Sequence, residues 1–75
     1  MKRTMAEAKE AVMGRVLSRD AQGCLPVDGP TLAADTALFD GIDLDTAVDA
    51  VWALIHEGIL SCDFATDMVD YGGGR

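Results

Sequence analysis

Basic residues are almost absent from most of this chain. No Lys or Arg occurs from residue 20 to residue 74, a segment that holds eleven Asp and Glu residues. Residues 1–19 carry five cations and two acids, and with Arg75 the formal net charge of the chain is −7. A surface of that sign repels nucleic acid and acidic lipid headgroups, and it favours a basic partner or simple solubility.

Residues that could carry chemistry are also scarce. The chain has two cysteines and one histidine, and Cys24, Cys62 and His56 lack the paired spacing of zinc ligands. The sequence contains no motif typical of a Ser-His-Asp triad, no glycine-rich phosphate loop and no HExxH string. We therefore predict no catalytic, metal or cofactor site and do not expect an enzyme. His56 is expected to be exposed near the end of a helix, where the helix dipole favours it.

Long apolar runs are missing too. No run approaches the ~18 residues of a membrane helix, and the N-terminal MKRTMAEAKE lacks the apolar stretch of an export signal. At 49% apolar residues, the chain is too hydrophobic to be disordered. We expect one cytoplasmic domain over residues 1–75, with an N-terminal arm at 1–4, a flexible tail at 72–75 and reduced cysteines.

Two helices are predicted in the first half of the chain. Thr4 and Glu7 fit a capping box, which starts a helix from Met5 to about Gln22. After CLPV, where Pro26 permits only an edge strand or a connector, Asp28 and Gly29 precede PTLAADTALF, the second helix. Its expected inward-facing residues are Leu32, Thr36 or Ala37, and Phe39.

A third helix and a hairpin are predicted in the second half. Gly41 turns the chain, Asp43 suits the N-cap, and the helix runs to about Glu57 before Gly58. ILSCDF then alternates as a strand, with Leu60, Cys62 and Phe64 on one face; ATD can turn and MVDY can return as a second strand.

This order of elements resembles the winged helix-turn-helix domain. The segment IDLDTAVDAVWALIHEGIL, residues 42–60, is similar to the third helix of small winged-helix regulators from bacteria, archaea and phages. The matching positions are Thr46, Ala47, Val51, Leu54 and the exit Gly58-Ile59-Leu60. Over about residues 5–71, the resemblance implies a mainly α (α+β) fold of three helices and a short C-terminal hairpin, the wing. It also implies that Cys24 lies on the short strand that joins the wing and that Cys62 begins the wing, so the two could be near neighbours.

The third helix departs from this family in its charge. The positions that face outward in DNA-binding members, and carry basic or amide side chains there, correspond to Asp45, Thr46, Asp49, Ala50 and Ala53. Phosphate contacts supply much of the affinity for DNA, and neither this helix nor the expected wing has a cation. DNA binding through this face should fail. Asp45 and Asp49 have a second explanation, since acids near a helix N-terminus complement its dipole.

The same helix is apolar over an unusually wide arc. Val48, Trp52 and Ile55, continued by Ile59, form a stripe beside the residues expected in the core. Helix one could cover this stripe. Alternatively, Trp52 anchors an interface with another protein or with a second copy of the chain, because Trp is enriched in such anchors.

Two functions follow from these patterns. The first is a winged-helix-like interaction or regulatory module that presents its acidic third helix and wing to a protein, particularly a basic one. The second is a DNA-binding regulator that uses the N-terminal arm and helix one. Its contacts would be Lys2, Arg3, Lys9, Arg15 and Arg19.

Overall fold

The computed structural model describes residues 4–71 of the chain. Its elements are α1 (Met5–Ala21), β1 (Val27–Asp28), α2 (Gly29–Asp40), α3 (Leu44–His56), β2 (Leu60–Asp63) and β3 (Met68–Tyr71). The predicted α+β class, with three helices and a C-terminal hairpin, is confirmed. The predicted tail at 72–75, and all of the predicted arm except Thr4, lie outside the described residues.

Helix α1 begins at the predicted capping box. The Glu7 amide donates to the Thr4 hydroxyl at 3.2 Å, and the Thr4 amide donates to the Glu7 carboxylate at 3.0 Å. Two amides that the first helical turn leaves without a backbone partner are thereby satisfied. The helix ends at Ala21, one residue before the predicted end, and Gly23 follows in a left-handed conformation at φ 69°.

Helix α2 is fixed at both ends by local chemistry. The Asp28 carboxylate accepts hydrogen bonds from the Thr31 amide at 3.0 Å and from the Thr31 hydroxyl at 2.7 Å, and Pro30 lies in the first turn. At the other end Gly41 adopts φ 64°, a conformation that glycine reaches without steric cost.

The prediction that Phe39 faces inward is wrong. Leu32 and Thr36 are buried as expected, but Phe39 is 67% exposed, and the Arg15 guanidinium lies over its ring at 5.6 Å from the ring centre. Ile42, just after the turn at Gly41, is buried instead. Helical periodicity places Phe39 on the same side as Leu32, but it cannot show how far along a helix the core extends.

Helix α3 has the predicted extent, but its predicted side-chain cap is absent. Asp43 occupies the N-cap position and its carbonyl accepts from the Ala47 amide at 2.9 Å. Its carboxylate makes no capping hydrogen bond. The helix gives way at Glu57 to Gly58, which has φ 79°, as the sequence indicated.

The three strands form one antiparallel sheet in the order β1-β3-β2. Val27 of β1 lies opposite Val69 of β3, and Cys62 of β2 lies opposite the same residue on the other side. The expectation that Cys24 lies on the short strand is wrong, because β1 comprises only Val27 and Asp28, and β3 separates this strand from β2, which holds Cys62. Both cysteines are free.

The hairpin of β2 and β3 keeps only part of the predicted strand pattern. Leu60 is buried and Cys62 is half-buried. Phe64, predicted on the same face, lies beyond β2 in the turn, where it is 68% exposed. The turn closes through a hydrogen bond from the Thr66 amide to the Asp63 carbonyl at 3.1 Å, which ends the strand before Phe64.

The core lies between the three helices and one face of the sheet. Its buried apolar residues are Ala8, Val12, Val16, Val27, Leu32, Ala33, Ile42, Ala47, Ala50, Val51, Leu54, Leu60 and Val69. Thr36 is buried with them, and its hydroxyl donates to the Leu32 carbonyl at 2.9 Å, so that no polar group of this side chain is left unsatisfied. None of the helices in the described range has the length and apolarity needed to cross a membrane.

Candidate functional site

The predicted interaction face of α3 is acidic but narrower than expected. Asp45 and Asp49 are exposed, and Thr46 and Ala53 are half-buried. Ala50 is 0% exposed and belongs to the core, so its assignment to the outward face is wrong. Helix α3 contacts both other helices and β2, which buries a wider arc of its surface than one neighbour would.

The apolar stripe of α3 faces a groove and is not covered by α1. The groove encloses about 210 Å³ between the start of α2, the stripe, and the hairpin. Val48, Trp52 and Ile55 form its α3 wall. None of its lining residues comes from α1, so the expectation that helix one covers the stripe is wrong. Helix α1 contacts α3 elsewhere on its circumference.

An aromatic pair lies at the edge of this groove. The rings of Trp52 and Phe64 are nearly parallel, at an angle of 12°, with their centres 6.0 Å apart. Trp52 remains 42% exposed. His56, one helical turn further, is exposed as predicted, and its ring centre lies 6.4 Å from that of Trp52. Stacked aromatic rings of this kind present a large, rigid apolar surface to a partner.

The basic residues of α1 form ion pairs within the domain. Lys9 pairs with Glu57, Arg19 pairs with Asp35, and the Arg15 Nε lies 3.6 Å from a carboxylate oxygen of Asp40. To contact a nucleic acid phosphate, each of these side chains would have to break its ion pair with a carboxylate. Lys2 and Arg3, the other two predicted contacts, lie outside the described residues.

The Asp28 carboxylate has a structural role at the start of α2. The pKa of Asp28 is lowered from its ordinary value of 3.8, chiefly because the Thr31 hydroxyl donates to it, and also because the Thr31 amide does. This hydrogen-bonding arrangement is that of a helix N-cap. Residues 4–71 contain no cluster of three or more His, Cys, Asp or Glu side chains that could hold a metal ion.

Two walls of the groove were missed by the reasoning from sequence. The start of α2 contributes Gly29, Pro30 and Ala33, and the hairpin contributes Cys62 and Val69. These residues come from separate parts of the chain, and no local pattern in the sequence indicates that they meet. The sequence did contain one signal, an aromatic residue at the end of a predicted strand, but the strand pattern grouped Phe64 with Leu60 and Cys62 and did not indicate its contact with Trp52.

Comparison of the chain with protein-family models, with curated proteins and with solved structures gives no significant match in any of the three. The winged-helix resemblance therefore rests on the order of the elements and on the sequence of the third helix.

Proposed function

We propose that this protein is a winged-helix-like module that binds a basic protein through α3 and the hairpin. The order of its elements, α1, β1, α2, α3 and then the β2-β3 hairpin, supports this architecture. In DNA-binding proteins of this kind the third helix lies against the nucleic acid. Here the same elements serve a protein interaction, and the module has a regulatory or binding role with no catalytic step.

The distribution of charge carries the proposal. Every Lys and Arg in the described range lies on α1. Each forms an ion pair, either with an acidic residue of α2 or with Glu57, the residue that follows α3. The surface of α3 and the hairpin presents Asp45, Asp49, Asp63 and Asp67 without any Lys or Arg. A surface with charges of one sign steers an oppositely charged partner and repels phosphate.

The proposal places the module and its partner in the cytoplasm, where both cysteines would stay reduced. The uncovered groove beside Trp52 supports a protein as the ligand, because protein interfaces combine an apolar centre with a charged rim. A second copy of the chain is a weaker candidate, because two surfaces that carry the same charge repel one another.

The proposal is tested by affinity capture from a cell extract at low salt. The immobilised protein is compared with Asp45→Asn/Asp49→Asn and with Glu10→Gln/Asp20→Asn, which removes the same charge from exposed positions at α1. We expect the wild type and the α1 variant to capture the same basic proteins, and Asp45→Asn/Asp49→Asn to capture them no longer. Added salt should release these proteins from the wild type. Capture that is the same for all three proteins would contradict the proposal.

The DNA-binding alternative is tested by fluorescence anisotropy with labelled mixed-sequence duplex DNA across a salt series. We expect no binding even at low salt. Tight binding that weakens steeply with salt, and that Arg15→Gln/Arg19→Gln abolishes, would instead support DNA contacts through α1.

A further inference from the structure

The groove beside Trp52 is large enough for side chains of a binding partner but too small for a drug-sized ligand. Its volume of about 210 Å³ is below the roughly 300–1,000 Å³ of pockets that bury a drug-sized ligand. It is open on one side, and its walls are almost entirely apolar: Val48 and Ile55 from α3, Ala33 from α2, and Val69 from β3. Such a groove accepts one or two apolar side chains of a larger partner.

Acidic residues lie beside this apolar floor. Asp67 lines the groove from the turn of the hairpin. Asp45 and Asp49 lie on the exposed side of α3, on the same helical face as Trp52, since residues three and four apart are neighbours on a helix. A partner that places an apolar side chain in the groove therefore brings its flanking residues against carboxylates.

We propose that the groove binds a basic amphipathic helix, whose apolar side chains enter between α3 and the hairpin while its Lys and Arg residues contact the acidic rim. Helices of this type dock into apolar grooves through residues spaced three and four apart. The Trp52–Phe64 pair supplies an exposed aromatic contact next to the side chain that enters the groove. A second copy of this chain does not fit, because the only helix with cations in the described range, α1, has them in ion pairs.

This inference rests on the proposed function, and its test uses a defined probe. The probe is a synthetic peptide of Lys and Leu, about 18 residues or five helical turns long, with Leu at helical spacing. A control peptide has the same composition in an order that scatters Leu around the helix. Trp52 is the single tryptophan of the protein, so its emission reports directly on the groove, and a label on the peptide gives the affinity by anisotropy.

We expect the amphipathic peptide to shift Trp52 emission to shorter wavelength and to bind about tenfold more tightly than the scrambled peptide. Cys62→Phe, which fills the groove from β2, should weaken the amphipathic peptide about tenfold. Ser61→Phe is the matched control, because Ser61 is the neighbouring residue of β2, is exposed and does not line the groove. It should leave the affinity unchanged.

A second variant removes charge without filling the groove. Asp67 has φ 58°, a conformation that Asn also adopts readily, so Asp67→Asn should fold normally. We expect it to weaken the amphipathic peptide several-fold at low salt, while Glu10→Gln on α1 has no effect.

Equal affinity for the two peptides, or equal affinity of Cys62→Phe and Ser61→Phe, would overturn the groove as the binding site. Either result would leave intact a charge-driven interaction through the acidic surface. Failure of the amphipathic peptide to bind at all would also overturn the groove as a site for a basic helix. Failure of the proposed function itself is seen separately, as capture that does not depend on Asp45 and Asp49.

Discussion

At the scale of single residues, Asp28 couples the stability of the domain to pH. Its carboxylate caps α2, and the Thr31 hydroxyl and amide that donate to it lower its pKa from 3.8. The folded state thus favours the ionised form. Its contribution to stability is fully present above the pKa of the unfolded chain and is lost as the pH falls through the lower pKa of the folded state.

We therefore expect Asp28→Ala to lower the melting temperature at about pH 7, and the difference from the wild type to shrink as the pH falls below about 3.8. Thermal melting followed by circular dichroism at several pH values measures this difference. Thr31→Val is the matched control: it removes the hydroxyl donor and should reduce the pH dependence without removing the carboxylate. A difference that grows as the pH falls would show that Asp28 does not act as this cap.

At the scale of elements, the turns between them are fixed by backbone conformation. Gly41 ends α2 at φ 64°, and a Cβ added there would meet no atom within 4 Å. Glycine is thus required at this position because of its backbone conformation, and not because neighbouring atoms would clash with a side chain. Gly14 offers the opposite case, because it lies inside α1 with equally open surroundings and no positive φ.

The same substitution should therefore have opposite effects at the two positions. Gly41→Ala should lower the free energy of unfolding by about 1–2 kcal/mol, the cost of a left-handed conformation for an L residue. Gly14→Ala should raise it by about 0.4–1 kcal/mol, because alanine restricts the unfolded chain and fits the helix. Urea denaturation of both variants measures these changes. A stabilising effect of Gly41→Ala would show that the left-handed turn is not required.

At the scale of the whole molecule, ion pairs fasten α1 to the rest of the domain. Lys9 and Arg19 contact acids that lie 48 and 16 residues away in the sequence. These four side chains remain 27–43% exposed, so solvent screens the pairs and each contributes little. The burial of apolar residues between the helices supplies most of the stability.

Lys9→Gln and Arg19→Gln should each lower the free energy of unfolding by about 0.2–1 kcal/mol at low salt, and by less at about 1 M salt. Urea denaturation at both salt concentrations measures the effect. A double-mutant cycle with Glu57→Gln separates the Lys9–Glu57 pair from other effects of removing the lysine. A loss of several kcal/mol would instead indicate that these charges are buried in solution.

Local signals in the sequence were enough to place the ends of the three helices to within about one residue. The capping box at Thr4 and Glu7, and the glycines at 23, 41 and 58, act within a few residues of the chain, so their effects can be predicted without the fold. Periodicity predicted the buried residues Leu32 and Thr36 of α2, because one face of a helix in a globular domain is buried.

The tertiary structure was needed to show which element packs against each helix or strand face. It buried Ala50 against the core, left Phe39 exposed, and brought Phe64 from the turn onto Trp52. It also placed the hairpin and the start of α2 around the apolar stripe, which created the groove, and paired the cations of α1 with distant acids. Each of these outcomes depends on contacts between residues far apart in the chain, and local sequence patterns do not predict such contacts.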